Sequence, residues 1–158
     1  MSKTINLTQD KVATVDDGDY EWLNKWKWYY SNVGYACRDI RINGKRTCVL
    51  MHRLINSTPM GMETDHINCN GLDNRRCNLR SCNKSQNQMN REKAINRSSG
   101  EKGVYWKDSR KKWTAKIMIN YKEFYLGDYK NIEDAINAYN KKALELFGEF
   151  TYKKELTK

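Results

Sequence analysis

The chain has 158 residues, 39% of them hydrophobic with only three Phe, and a formal net charge of +10. That length allows one ordinary domain or two small ones, and so few large apolar residues favour two or three modest units, each with a small core. No apolar run of about 18 residues or more is present, which excludes a membrane-spanning helix.

The 29 Lys and Arg outnumber the 19 Asp and Glu, and the excess is spread over 1–60, 61–100 and 101–158 alike. A basic surplus of that kind suggests several surfaces facing a polyanion, with ordinary solubility charge as the plain alternative. MSKTINLTQD lacks the apolar core of a signal peptide. The five cysteines, at 37, 48, 69, 77 and 82, form no C-x-x-C pair. An odd count points to free thiols in a reducing cytoplasm, and no structural zinc is expected. The expected location is cytoplasmic.

Residues 4–15 read as two short strands, Thr4–Leu7 and Lys11–Val15, around a turn. Any of Asp16, Asp17 or Asp19 can cap a short helix beginning near Tyr20, with Trp22, Leu23 and Trp26 on one face. Trp28, Tyr29, Tyr30 and Tyr35 sit in strand-like sequence around a turn at Asn32-Val33-Gly34. Asn43-Gly44 predicts a type I′ hairpin joining Tyr35–Ile42 to Arg46–Met51, because both central residues of that turn need positive φ. The aromatic residues of this region are read as core, although a base-stacking platform is the competing use. His52-Arg53-Leu54-Ile55 opens a short helix that ends before Pro59 and Gly61.

Residues 65–87 read DHINCNGLDNRRCNLRSCNKSQN. Cutting a phosphodiester needs a base to deprotonate water and hard oxygen donors to hold a divalent cation against the phosphate. Asp65, His66 and Asn87 can supply both. Thr64–Ile67 reads as a strand, 68–78 as a polar loop and Leu79–Cys82 as a second strand. Asn83 is placed to cap a helix from Lys84 to about Lys93. A regular strand turns adjacent side chains to opposite faces, so Asp65 and His66 should not both face one phosphate unless the strand ends or twists there, or the substrate sits astride it.

This run resembles the catalytic motif of HNH homing endonucleases of the phage and intron-encoded kind, over roughly residues 52–90. The residues that carry the likeness are D-H-I-N-x-N-G-L-D-N-R-R-x-N-L-R. The VDD-DY and GYA-R pieces upstream and the HRL element at 52–54 are similar too. The resemblance implies a ββα-metal fold gripping one metal ion. It implies His66 as general base, Asp65 and Asn87 as metal ligands, and Asn78 as the residue that pins the loop and so orients the histidine. Asn87 stands where other members carry a histidine, and Cys69 where a glycine is usual. Two protein oxygens with open positions suit Mg²⁺, with Mn²⁺ as a substitute. His52 is an accessory candidate that could reach a phosphate, or a structural histidine. Arg75, Arg76 and Arg80 are candidate DNA contacts.

Residues 91–101 read as a polar linker. Beyond it, Lys102–Trp106, Lys112–Ile119 and Glu123–Gly127 read as strands, with turns at Asp108–Lys111 and Asn120–Lys122. Ile132, Ala135, Ile136, Tyr139, Ala143, Leu144 and Phe147 recur at helical spacing between an Asn131 cap and a Gly148 stop. The pieces KGV-W, KWTAKI, YLGDY and LFGEF resemble the APETALA-type (ethylene-response-factor) DNA-binding domain over about 102–152. In that family the sheet lies in the major groove, which makes Lys102, Tyr105, Lys107, Lys116, Met118 and Tyr125 candidate DNA contacts, with Trp106 and Trp113 nearby. Tyr105, Met118 and Glu123 depart from the family's usual arginines, so its base preference does not carry over.

The expected architecture is α+β: a β-rich region leading into a ββα-metal HNH motif over 1–90, a linker over 91–101, a three-stranded antiparallel sheet packed on one helix over 102–152, and a tail over 153–158. The expected function is site-specific hydrolysis of double-stranded DNA with one divalent metal, by a monomer or homodimer encoded by a phage in a bacterial host. The alternatives are a non-catalytic DNA-binding protein with a degenerate nuclease fold, and a nuclease acting on RNA.

Overall fold

A computed structural model of the chain describes residues 1–90, 99–119 and 122–152. Linker residues 91–98, the turn residues Asn120 and Tyr121, and the tail 153–158 lie outside the described residues. The fold is α+β and divides into two compact units, one over 1–90 and one over 99–151.

The first unit begins with an antiparallel hairpin of β1 (Ser2–Asn6) and β2 (Val12–Asp16), reversed at Gln9 and Asp10, both at positive φ. Helix α1 (Asp17–Leu23) follows directly. Asp16 stands at its N-cap but does not cap it through the side chain; its Oδ2 instead accepts the backbone N–H of Arg76 at 2.7 Å. The expected aromatic face of this helix is corrected at Trp26. The helix stops at Leu23, and Trp26 lies beyond it, half exposed, with the Arg38 guanidinium 4.0 Å from its ring centroid. Of the tryptophans here, Trp28 is the buried one, donating its indole N–H to Leu23 O at 2.9 Å.

A three-stranded sheet comes next, in the order β3 (Tyr29–Tyr30), β4 (Ala36–Ile42), β5 (Lys45–Leu50). Asn43 and Gly44 turn β4 into β5 with φ of 50° and 76°, the signs a type I′ turn demands. Helix α2 (Met51–Ile55) carries His52 and packs against β4, β5 and the strand that follows.

That strand is β6 (Glu63–His66), antiparallel to β7 (Leu79–Cys82) with Asp65 opposite Arg80 and His66 opposite Leu79. Helix α3 (Lys84–Met89) then packs back over both strands. Its start is fixed by a reciprocal capping box: Gln86 N–H donates to Asn83 Oδ1 at 2.8 Å, and Asn83 N–H to Gln86 Oε1 at 2.9 Å. The core of this unit is Ile5, Ala13, Val15, Leu23, Trp28, Ala36, Met51, Ile55 and Leu79, so the N-terminal hairpin, α1, α2 and β7 share one apolar interior.

The second unit is the antiparallel sheet β8 (Val104–Lys107), β9 (Lys112–Ile119) and β10 (Lys122–Tyr129), with β9 in the middle, and helix α4 (Ile132–Phe147) packed on it. Val104, Ala115 and Ala135 form its small core, ringed by Trp113, Leu126, Tyr129, Ile132, Ile136 and Tyr139. A register shift between Tyr125 and Gly127 bends β10. Gly148 ends α4 with φ of 52°, as expected of a glycine stop.

Candidate active site

The period-2 geometry of β6 sorts its side chains into two sets. Glu63 and Asp65 face α3. The Asn87 Nδ2 donates to Glu63 Oε2 at 2.6 Å, and the Asn90 Nδ2 donates to Asp65 Oδ1 and Oδ2 at 2.9 and 3.1 Å. His66 faces the other way, into a cluster of rings. It stacks on Tyr35 with centroids 5.8 Å apart and planes 14° apart, and meets His52 edge to face at 4.9 Å.

Asp65 and His66 are 4% and 6% exposed. The Asp65 carboxylate is held from two sides, by Asn90 and by Arg80, whose Nε and Nη2 reach Oδ2 at 2.8 and 2.6 Å. Asn90, in the sequence only a rough echo of the motif's downstream Q-N-x-x-N element with no role of its own, also reaches the carbonyls of His66 at 2.9 Å and Ile67 at 3.2 Å through its Nδ2 group. It therefore ties the end of α3 to the end of β6. Cys69 adds a second tie, its Sγ donating to Asn90 O at 2.8 Å. Cys69 has φ of 61°, the left-handed backbone that favours glycine.

The loop between β6 and β7 is built from amide side chains that replace regular backbone pairing. Asn78 bonds both ends of it: Oδ1 accepts from Asn68 N–H at 3.0 Å, and Nδ2 donates to Asn68 Oδ1 at 2.9 Å and Asp73 O at 2.7 Å. Direct contact with the histidine comes from Asn74, which lies in the D-N-R-R part of the motif but had no role assigned to it from the sequence. Asn74 is fully buried, and its Nδ2 donates to Leu72 O at 3.3 Å, which turns Oδ1 toward His66 Nε2, also at 3.3 Å. With an acceptor facing it, Nε2 carries the imidazole hydrogen and Nδ1 keeps the lone pair. Burial lowers the His66 pKa, only partly offset by Asn74 and the nearby aspartates, so the ring is neutral at pH 7. A neutral, oriented imidazole is a competent proton acceptor. His52 is pushed further down, to about 3, by burial and then by His66 and Arg53.

The N-terminal hairpin forms one side of this loop. Thr14 of β2 donates its N–H to Leu72 O at 2.8 Å and accepts from Asn74 N–H at 2.7 Å. Arg76 makes a two-pronged pair with Asp19 of α1, Nε and Nη2 both at 2.7 Å. Arg75 makes the same kind of pair with Asp73 at 2.7 and 2.6 Å. Their side chains remain 59% and 40% exposed, whereas that of Arg80 is 12% exposed.

In the second unit, alternation and register place Tyr105, Lys107, Lys112, Thr114, Lys116, Met118, Glu123 and Tyr125 on the sheet face away from α4. Trp106 and Trp113 pair directly across β8 and β9 at 5.3 Å, and Trp113 belongs to the helix side. Lys102 precedes β8, half-buried. On the open face Lys116 pairs with Glu123 at 2.5 Å. Asp128 accepts from Thr114 and Arg110 and is held near a pKa of about 2 by those two bonds.

No protein-family model matches the chain, and no solved structure does. An uncharacterized HNH endonuclease of Acanthamoeba polyphaga mimivirus is 33% identical over 135 residues. The chain is similar to an HNH endonuclease. The match covers 81% of this chain and 66% of that relative, so the chain spans just under two thirds of the relative's length. Among the described residues no group of three or more His, Cys, Asp or Glu is placed to hold a metal ion, and no helix is long and apolar enough to cross a membrane. The oxygen-rich set facing α3, the Glu63 and Asp65 carboxylates with the Asn87 carboxamide, is nevertheless of the type that hard divalent cations take. Because Asn87 Nδ2 is committed to Glu63, its Oδ1 is the atom left to act as a ligand.

Proposed function

We propose that the protein is a metal-dependent DNA endonuclease of the HNH kind, with His66 as general base and Asp65 and Asn87 as the oxygen donors to one Mg²⁺ or Mn²⁺. The observation that carries this reading is the pairing of a neutral, Asn74-oriented His66 with an Asp65 carboxylate on adjacent residues of β6, under a helix that presents Asn87. The backbone order β6, β7, α3 agrees with the ββα-metal arrangement of that family, and the HNH relative supports the class.

In this reading His66 Nδ1 takes the proton from the attacking water, and the Nε2 hydrogen bond to Asn74 steadies the imidazolium that forms. The bound cation would neutralise charge on the phosphate and the leaving oxygen. Asn78 fixes the loop that carries Asn74. Arg75 and Arg76, each with an exposed flank, and Arg80 are the proposed phosphate contacts beside the site. The second unit acts as an APETALA-type clamp, laying Tyr105, Lys107, Lys116, Met118 and Tyr125 against the duplex, with Lys102 at the sheet's edge and Trp106 and Trp113 supporting it from behind.

One observation favours a second reading, a binder with a silent nuclease fold: Arg80 and Asn90 already occupy the Asp65 oxygens. Incubation with supercoiled plasmid and Mg²⁺, with and without chelator, separates the two, since only the nuclease nicks the DNA and only with the cation present. RNA offered in the same assay decides the class of nucleic acid.

A further inference from the structure

Tyr35 stands 31 residues before His66 in the chain and has no acid–base part in the chemistry above, yet its ring is the flat surface on which the His66 imidazole rests, with centroids 5.8 Å apart and planes 14° apart. The stack is enclosed. His52 meets Tyr35 edge to face at 4.8 Å and His66 edge to face at 4.9 Å, so the three rings fix one another. From the loop side Gly71 closes on Tyr35: a Cβ there would lie 2.7 and 2.8 Å from its Cδ1 and Cε1, and 2.5 Å from Gly34 O. Only a residue with no side chain allows that approach. Tyr35 is itself pinned at the start of β4, its N–H donating to Ser31 Oγ at 3.1 Å and its carbonyl accepting from Ser31 N–H at 2.9 Å.

The Asn74 bond alone leaves the imidazole free to swing about the Nε2 contact. A flat partner on one face and an edge on another remove that freedom and hold the ring plane, which sets the direction of the Nδ1 lone pair. We propose that Tyr35, backed by Gly71 and His52, is a positioning residue for His66, so that the β-rich N-terminal region supplies part of the active site and not only its support. This rests on His66 being the base. It also gives one of the N-terminal aromatic residues a task other than filling the core.

The test compares Tyr35→Phe, which keeps the flat face, with Tyr35→Leu, which keeps bulk and loses it, and with Gly71→Ala, which pushes on the ring from behind. Each full-length variant is assayed with Mg²⁺ on a randomised duplex library, and His66 is followed by the proton spectrum of its imidazole. The chain has only two histidines, so a His52→Gln sample assigns both signals. The expected result is that Tyr35→Phe cuts within about twofold of the parent, while Tyr35→Leu and Gly71→Ala lose about tenfold or more in kcat with KM nearly unchanged. The His66 signal should move in the latter two, as it leaves the shielding of the Tyr35 ring. Parental kcat in a folded Tyr35→Leu protein, or a His66 signal unmoved by it, overturns the proposal. A parental protein that does not cut at all retires the nuclease reading, and the spectrum then decides the stack alone.

Discussion

Asp65 and His66, joined by one peptide bond, leave β6 on opposite faces, the carboxylate toward Asn90 and Arg80 and the imidazole toward Tyr35 and Asn74. The strand ends at His66, whose carbonyl accepts the N–H of Cys69 at 2.8 Å as the chain turns away. A phosphate engaged by both side chains must therefore lie across the end of the strand. The amide loop 68–78 and the last turn of α3 fix that end.

The tie between α3 and β6 predicts a stability loss. Asn90→Ala would strip the bonds from a buried carboxylate and two carbonyls. Unsatisfied buried acceptors of this kind cost about 1–3 kcal/mol. Urea unfolding of Asn90→Ala should report a loss in that range, and a midpoint equal to the parent's would show that the tie is idle.

Removing Arg80 should destabilise more than removing Arg76. The Arg80–Asp65 pair is almost wholly buried, and deleting the guanidinium leaves a carboxylate in the interior, at about 3–5 kcal/mol for such pairs. The Arg76 side chain is 59% exposed, so its pair with the buried Asp19 is partly open to water, and Arg76→Ala should lose less, about 1–3 kcal/mol, with the Trp22 indole N–H still donating to Asp19. The reverse order in thermal or urea melts would contradict the burial-based account.

Acid should destabilise the fold before its carboxylates titrate. His52 has a pKa of about 3 in the fold against 6.5 for the unperturbed side chain, and His66 shifts in the same direction. Between those values the unfolded chain binds protons that the folded chain does not, so stability is full above about pH 6.5 and falls as pH drops toward 3. From pH 6.5 to 5 the loss from His52 is up to about 2 kcal/mol. His52→Gln should show a shallower pH dependence of unfolding free energy over that range. An unchanged slope would mean that His52 protonates as readily in the fold as outside it.

Part of this was legible in the sequence because it is local. Asn43-Gly44 announced its turn by the φ its residues tolerate, and Asn83 announced α3, described over Lys84–Met89; the expected end near Lys93 lies outside the described residues. The repeat from Ile132 to Phe147 gave α4. Trp26 misled because its spacing fits a helix that ends three residues earlier. The roles of Asn74, Asn90 and Tyr35 were hidden for a different reason. Each acts on a residue brought to it by the tertiary fold, across 8, 25 and 31 positions, and no period encodes such a meeting. Glu63 was hidden too, as its bond to Asn87 follows from which face of β6 meets α3.

The open sheet face predicts a change in salt dependence. Lys107 and Lys112 are direct cross-strand partners on that face. If they touch phosphates, Lys107→Ala with Lys112→Ala should weaken binding to duplex DNA and reduce the slope of log K against log salt by about 2. A slope equal to the parent's would place the DNA elsewhere.

The most direct test of the central claim is the cutting of a randomised duplex library by the parental protein and by His66→Ala, each with Mg²⁺ and with chelator, cut ends being read by sequencing and binding by gel shift. The account predicts defined cut ends for the parent only with Mg²⁺, and for His66→Ala near-normal binding with cutting abolished. Cutting by His66→Ala at the parental rate, or parental cutting that persists in chelator, would contradict it.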